Sequence, residues 1–169
     1  MKAKLAALAA VLVLTAAAMV GFIAWQLREH REGPDERPEI SAFTHGTLVR
    51  VGPLLYCDRT LAKCDPPGHI VELFVNDAEL VQLSVDSQIS KGPWAITAAY
   101  AHLAAPSTKY GDQVIYWDHR SAVTVPTVDK AGRKLVGIEV AVPTVGVNEL
   151  GEQVFKARAT WSVATTWKD

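Results

Sequence analysis

Residues Leu5 to Leu27, LAALAAVLVLTAAAMVGFIAWQL, form a run of twenty-three residues without a formal charge, in which only Thr15 and Gln26 are strongly polar. As a helix such a run reaches roughly 35 Å, enough to cross a hydrocarbon core ~30 Å thick with some tilt. It carries no polar face, so a half-buried helix of a globular domain is a poor account of it. Lys2, Lys4 and the amino terminus precede the run, and Trp25 near its far end has the amphipathic ring that favours the headgroup region. The run predicts a cytoplasmic tip and transmembrane signal-anchor over residues 1–27, with everything after it exported. Arg28, Arg31 and Arg37 on the far side weaken the orientation signal, because the rule counts basic residues whatever acids accompany them.

A cleaved signal peptide is the competing reading, which would leave the domain secreted. Leu5 to Leu14 is a fair apolar core for one, and Ala16-Ala17-Ala18 is an A-x-A-like cleavage site. Continuation of the apolar run for nine residues past Ala18 favours the retained anchor. No cysteine near the end of the run offers the acceptor of a bacterial lipoprotein. Residues 28–39, REHREGPDERPE, then hold three arginines, five acids and two prolines, a net charge of −2. A stretch so charged cannot bury enough apolar surface to offset its ordering entropy, so it reads as an extended, solvated stalk.

Residues 40–169 are of ordinary size for one domain, and alternate with a period of two between turn residues, the pattern of β-strands. Expected strands include His69–Val75 and Glu79–Val85, joined as a hairpin by Asn76-Asp77-Ala78, and Trp94–Leu103. In the last, Trp94, Ile96, Ala98, Tyr100 and His102 share one face. VIYW at 114–117, AVTVP at 122–126, Lys134–Pro143 and Gln153–Trp167 follow, and EISAFTHG at 39–46 and TLVRVGPLLYC at 47–57 precede them, for eight or nine strands in all. Helical periodicity is weak throughout. The prediction is an all-β fold, an antiparallel immunoglobulin-like β-sandwich without the long-range inter-sheet cystine of antibody domains.

Cys57 and Cys64 are the only cysteines and have six residues between them. A protein zinc site usually needs three or four ligands, often with two to four residues between paired cysteines, and a C-x-x-C redox motif is absent. In an exported domain the pair is most simply a disulfide closing an eight-residue loop. Arg59 and Lys63 lie inside that loop, and are candidates for contact with a partner.

The apolar N-terminal span, the start PEISAFTHG, the YCD followed by a second cysteine, and the segment ISKGPWAITAAY together resemble a family of small, exported, membrane-anchored actinobacterial envelope proteins of unknown function. That resemblance covers nearly the whole chain. It implies an envelope location and carries no catalytic residues.

Chemistry is sparse. The domain has twelve basic and thirteen acidic side chains and no long basic run, which argues against nucleic acid as a partner. Its histidines, His45, His69, His102 and His119, make no metal-ligand signature, and no G-x-S-x-G elbow or paired carboxylates stand out. No catalytic residue, metal or cofactor is expected. WDHR, Trp117 to Arg120, is the densest chemical cluster, read as a turn in which Asp118 and Arg120 pair at the surface and His119 faces the other way. Trp94 and Trp161 are expected as core anchors. Trp117, His119 and Trp167 are candidate binding residues, Trp167 because a tryptophan so near the terminus is expected to be exposed. The sequence thus predicts a non-enzymatic binding or scaffolding protein of the bacterial cell envelope, anchored through residues 5–27. Its partner would be an envelope protein, a lipid or a glycan. A carrier or sensor of a lipid or glycan, with a cavity in the sandwich, is the first alternative, and a hydrolase or metal protein using His119 and its neighbours the second.

Overall fold

The structure is a computed structural model and describes residues 15–23, 25, 37–77, 79–102, 105–147 and 150–167. The chain divides into two compact units, residues 1–36 and 37–169. In the first, residues 15–23 and 25 are helical, and no helix among the described residues is long and apolar enough to cross a membrane. The rest of the expected span, residues 5–14, 24, 26 and 27, and the stalk through residue 36 lie outside the described residues.

The second unit is built from β1 (Ile40–Thr44), β2 (Thr47–Val51), β3 (Leu55–Tyr56), β4 (Val71–Val75), β5 (Leu80–Val85), β6 (Trp94–His102), β7 (Ala105–Tyr116), β8 (Ala122–Pro126), β9 (Lys134–Val147) and β10 (Gln153–Trp167). One helical turn, Ser87–Ser90, is capped by the Asp86 side chain. The strands form a four-stranded sheet in the order β2-β1-β5-β8 and a six-stranded sheet in the order β3-β10-β9-β6-β7, with β4 also on β10. All pairings are antiparallel except β4 with β10.

Alternation is what makes two sheets from this sequence. In β5, Val81, Leu83 and Val85 are buried while Leu80, Gln82 and Ser84 face out, so one face must be covered by a second layer. Residues of both sheets meet in a single core, including Ile40, Val81 and Leu83 from the smaller and Trp94, Ile138, Val140, Trp161 and Val163 from the larger. Each fully buried Val, Leu or Ile contributes roughly 1.5–3 kcal/mol. The two core indoles keep their N–H groups satisfied: Trp94 donates to the Arg120 carbonyl at 2.8 Å and Trp161 to the Pro38 carbonyl at 2.8 Å. Those bonds pin the WDHR loop and the entry of the chain to the core.

Several expectations are corrected. β4 and β5 are consecutive alternating strands but not a hairpin: β4 runs parallel to β10, while β5 lies between β1 and β8. Each carries its own buried set, Leu73 and Val75 or Val81, Leu83 and Val85, and the short connection between them passes from one sheet to the other. The hairpin that does form here joins β1 to β2 through His45 and Gly46, both at positive φ, as a two-residue hairpin turn requires. His102 is exposed rather than sharing the buried face of Trp94, Ile96 and Tyr100, because register shifts break the alternation near the end of β6. The strand expected at 114–117 begins far earlier, at Ala105.

β9 and β10 place the candidate site. β9 lies between β10 and β6 only as far as Ala141, which pairs with Ala95, whereas residues Pro143 to Val147 pair with β10 alone. The end of this hairpin therefore runs beyond the sheet as a two-stranded ribbon. Pro143 fits there, since a proline costs no ladder bond where its strand has a free edge. Between Ala157 and Ala159 the register shifts by one residue, leaving Arg158 as a bulge.

Candidate functional site

At the ribbon end, three features converge. The first is the disulfide loop. Cys57 and Cys64 are bonded, and inside the loop the Asp58 carboxylate accepts from the Thr60 hydroxyl at 2.9 Å, the Ala62 N–H at 3.0 Å and the Thr60 N–H at 3.1 Å. The Thr60 hydroxyl leads the interactions that outweigh burial and hold this carboxyl below its ordinary value. The loop packs sideways on the ribbon: a methyl added at Gly146 would lie 3.4 Å from the Leu61 side chain. Just after the loop, the Gly68 N–H donates back to the Leu54 carbonyl at 3.0 Å, and a Cβ at Gly68 would overlap the Pro53 carbonyl oxygen.

The second feature is a cationic recess of about 470 Å3 whose lining includes Tyr56, Arg59, Lys91 and Arg158, with no carboxylate. The Arg158 guanidinium stands 5.9 Å over the Tyr56 ring, and Arg37 stands 4.6 Å over the same ring while pairing with Asp65 at 2.7 Å. The third, on the outer face of the larger sheet, is an apolar groove of about 410 Å3 lined by Ala95, Ile115, Trp117, Pro143, Phe155 and Ala157 among others. Trp117 is 69% exposed and Phe155 82% exposed. Small side chains on adjacent strands, Ala95 opposite Ala141 and Pro143 opposite Ala157, form the floor between these two rings.

Arg59 and Trp117, singled out in the sequence, thus line two recesses on opposite faces of the β9–β10 ribbon, and Lys63 is exposed in the disulfide loop. His119 does not join them. It takes a positive φ, and its Nδ1 lies 3.1 Å from the Ser90 carbonyl. Asp118 and Arg120 pair at 3.0 Å; burial pushes the Asp118 carboxyl up, but the Arg120 hydrogen bond and charge outweigh it and hold it below the ordinary range. Among the described residues no three His, Cys, Asp or Glu side chains gather as metal ligands. Trp167 is half-buried rather than exposed: its N–H donates to the Leu135 carbonyl at 2.9 Å and the Lys134 ammonium lies 4.2 Å over its ring.

A further recess, about 490 Å3, opens between β7 and β8, edge strands of the two different sheets, with an apolar floor that includes Ile96, Val114 and Val125. Asp129 and Arg133 line it as an ion pair at 2.6 Å. The Tyr100 hydroxyl, whose pKa burial raises, donates to the Pro126 carbonyl at 3.0 Å on its wall.

Phe155, Lys91 and Arg158 were not singled out in the sequence. Lys91 and Arg158 join Arg59 only through the fold. Phe155 has the same parity as the buried Trp161 and Val163, so strict alternation places it in the core, and only the bulge at Arg158 turns it outward.

The described residues of the domain form an all-β fold of two sheets around one core, and fold alone does not fix function. The chain is a member of DUF2771, a family described as protein of unknown function, which matches residues 33–166. Uncharacterised protein Rv0875c of Mycobacterium tuberculosis and uncharacterised protein Mb0899c of Mycobacterium bovis are each 42% identical to it over 166 residues, 96% of this chain and 98% of theirs. No solved structure matches it.

Proposed function

We propose that this chain is a non-enzymatic binding or scaffolding protein of the bacterial cell envelope, held to the membrane by Leu5–Leu27 with its β-domain outside the cytoplasm. One observation carries the binding role: Trp117 and Phe155 lie exposed in one apolar groove at the projecting ribbon. Contiguous apolar surface of this kind on a soluble domain marks a contact site. The Cys57–Cys64 disulfide supports the exported location, since such bonds persist in oxidising compartments. We read the two sheets as an immunoglobulin-like sandwich, in which the parallel β4–β10 pair is a local departure.

The test uses the full chain in a mycobacterial host, with a membrane-impermeant thiol reagent on intact cells. A cysteine placed at Lys130 should be labelled and one at Ala3 protected; the opposite pattern overturns the topology. A photo-crosslinker at Trp117 should form adducts that one at Lys130 does not, and equal adducts from both sites would remove the groove from consideration.

A second reading rests on the recess between β7 and β8, which is large enough for part of a lipid or glycan and pairs an apolar floor with the Asp129–Arg133 rim. In that case the protein is a carrier, and Val114→Trp, which fills the recess, abolishes ligand retention in native mass spectra while Trp117→Ala leaves it intact.

A further inference from the structure

Val145, Val147 and Phe155 face outward on the ribbon at 56%, 59% and 82% exposure, and Leu150 at its turn is 83% exposed. Strongly exposed apolar side chains at the tip of a two-stranded projection are unusual, since such a hairpin is marginal by itself and gains nothing from holding these groups in water.

The chain enters the domain at this same end. The Pro38 carbonyl is bonded to Trp161, and Pro38, Arg158 and Trp161 line one recess. From Arg158 the ribbon continues for five residue pairs, Ala157 with Pro143 through Gln153 with Val147, a projection of roughly 17 Å. Nine residues, 28–36, separate Leu27 from Arg37; they span at most ~32 Å. The tip can therefore reach a membrane surface before that linker is taut. A tether of this length also holds the local concentration near the millimolar range, so a weak contact is enough.

Positive charge lies at the base of this ribbon and in the loop packed along it. Arg59, Lys91 and Arg158 line a recess with no carboxylate, and Lys63 is exposed in the neighbouring loop. Apolar side chains entering the headgroup boundary, an exposed tryptophan beside them and cations within reach of phosphate are the elements of interfacial binding.

Resting on the anchor proposed above, we propose that the β9–β10 end of the domain docks on the bilayer that holds residues 5–27. Val145, Val147, Leu150 and Phe155 enter the headgroup boundary, and Arg59, Lys91 and Arg158 meet anionic phospholipid headgroups.

The test uses the full chain reconstituted in phosphatidylcholine vesicles with or without phosphatidylglycerol. A polarity-sensitive fluorophore is attached to a single added cysteine, the native pair being closed as a disulfide. The sites are Leu150→Cys at the tip, Lys130→Cys at the turn before β9 as the solvent control, and Ala18→Cys in the expected span. Lipid-borne quenchers should reach Ala18→Cys and Leu150→Cys, and aqueous iodide should reach Lys130→Cys. Phosphatidylglycerol should strengthen the lipid contact at position 150, and Arg59→Gln and Arg158→Gln should each weaken the docking equilibrium about fivefold. A position 18 in lipid with position 150 open to iodide at every lipid composition overturns the docking and leaves the anchor standing. Shielding of position 150 from iodide without lipid quenching means that a second copy of the chain covers the tip, and also overturns it. A position 18 open to iodide overturns the anchor itself, and the docking with it.

Discussion

Phe155 and Trp161 lie six residues apart on one strand, have the same parity and differ completely in burial: Phe155 is 82% exposed and Trp161 is 0% exposed. Substituting each by alanine tests whether the bulge at Arg158 divides β10 into an outward and an inward half. An aromatic side chain covers about 150–250 Å2. Phe155, about a fifth buried, therefore loses on the order of 40 Å2 of buried area, or at most about 1 kcal/mol. Trp161→Ala should cost about 3–5 kcal/mol from lost burial and the cavity left behind. It also orphans the Pro38 carbonyl, at a further ~1–3 kcal/mol. Because that sum approaches the whole stability of a domain this size, Trp161→Phe provides the measurable companion: it keeps most of the ring, removes the bond to Pro38 and should cost about 1–3 kcal/mol. The assay is equilibrium denaturation followed by circular dichroism, comparing midpoints at constant slope. Equal losses for Phe155→Ala and Trp161→Phe would refute the bulged register and place both rings on one face.

Gly68→Ala should destabilise the domain by about 1–3 kcal/mol, since the new methyl meets the Pro53 backbone oxygen rather than a side chain that can rotate away; an unchanged melting temperature would show that this turn is looser than drawn. Reducing Cys57–Cys64, or replacing both by alanine, should lower stability by about 2.5 kcal/mol on the chain-entropy estimate for an eight-residue loop. It should also speed amide exchange in the ribbon that Leu61 supports. Asp129 supplies a pH dependence of known sign. Burial pushes its carboxyl up, but the Arg133 N–H, the Arg133 guanidinium and the Ala131 N–H outweigh that and hold it below the ordinary value of 3.8. Its contribution is therefore fully present above pH 3.8 and is lost as the pH falls through the lower folded value. Asp129→Asn should accordingly be less stable than the parent at neutral pH and converge with it in acid, as read by denaturation midpoints across that window; parallel curves would show that Asp129 carries no such linkage.

Much of the fold was legible because its signals are local. β5, β8 and the central part of β9 alternate as half-buried strands must, and Trp94 and Trp161 fall in the core as their places on long alternating strands suggest. Strand partners were less legible. The short polar connection predicts a β4–β5 hairpin, yet nothing local distinguishes a chain that turns back within one sheet from one that crosses to the other. The polar start of β7 hid a strand for a related reason. It lies at a sheet edge, paired on β6 alone, where no second neighbour demands an apolar alternation. Trp167 is half-buried through a partner that no local pattern shows, since the Leu135 carbonyl that accepts its N–H is thirty-two residues away.

The candidate site was legible only in pieces, and the bulge explains why. A strand that keeps strict alternation sends one parity to the core along its whole length, so an apolar residue of that parity carries no functional signal. Leaving Arg158 out of the ladder reverses the assignment: Ala159, Trp161 and Val163 are in the core while Phe155 and Ala157 turn to the outer face beside Trp117 and Pro143. The same extra residue lies where β10 leaves the supported sheet and becomes part of a ribbon. Bulges occur preferentially where a strand must re-aim its side chains, and here the re-aimed set is the apolar surface on the face of the ribbon opposite the Arg59 and Arg158 recess. Deleting Arg158 should therefore remove the bulge and its charge while the pairs of Ala157 with Pro143 and Ala159 with Val142 stay in place, so Phe155 still faces outward and Trp161 inward. A loss of denaturation midpoint as large as that of Trp161→Ala would refute this register, because it would mean that the core set had slipped toward solvent.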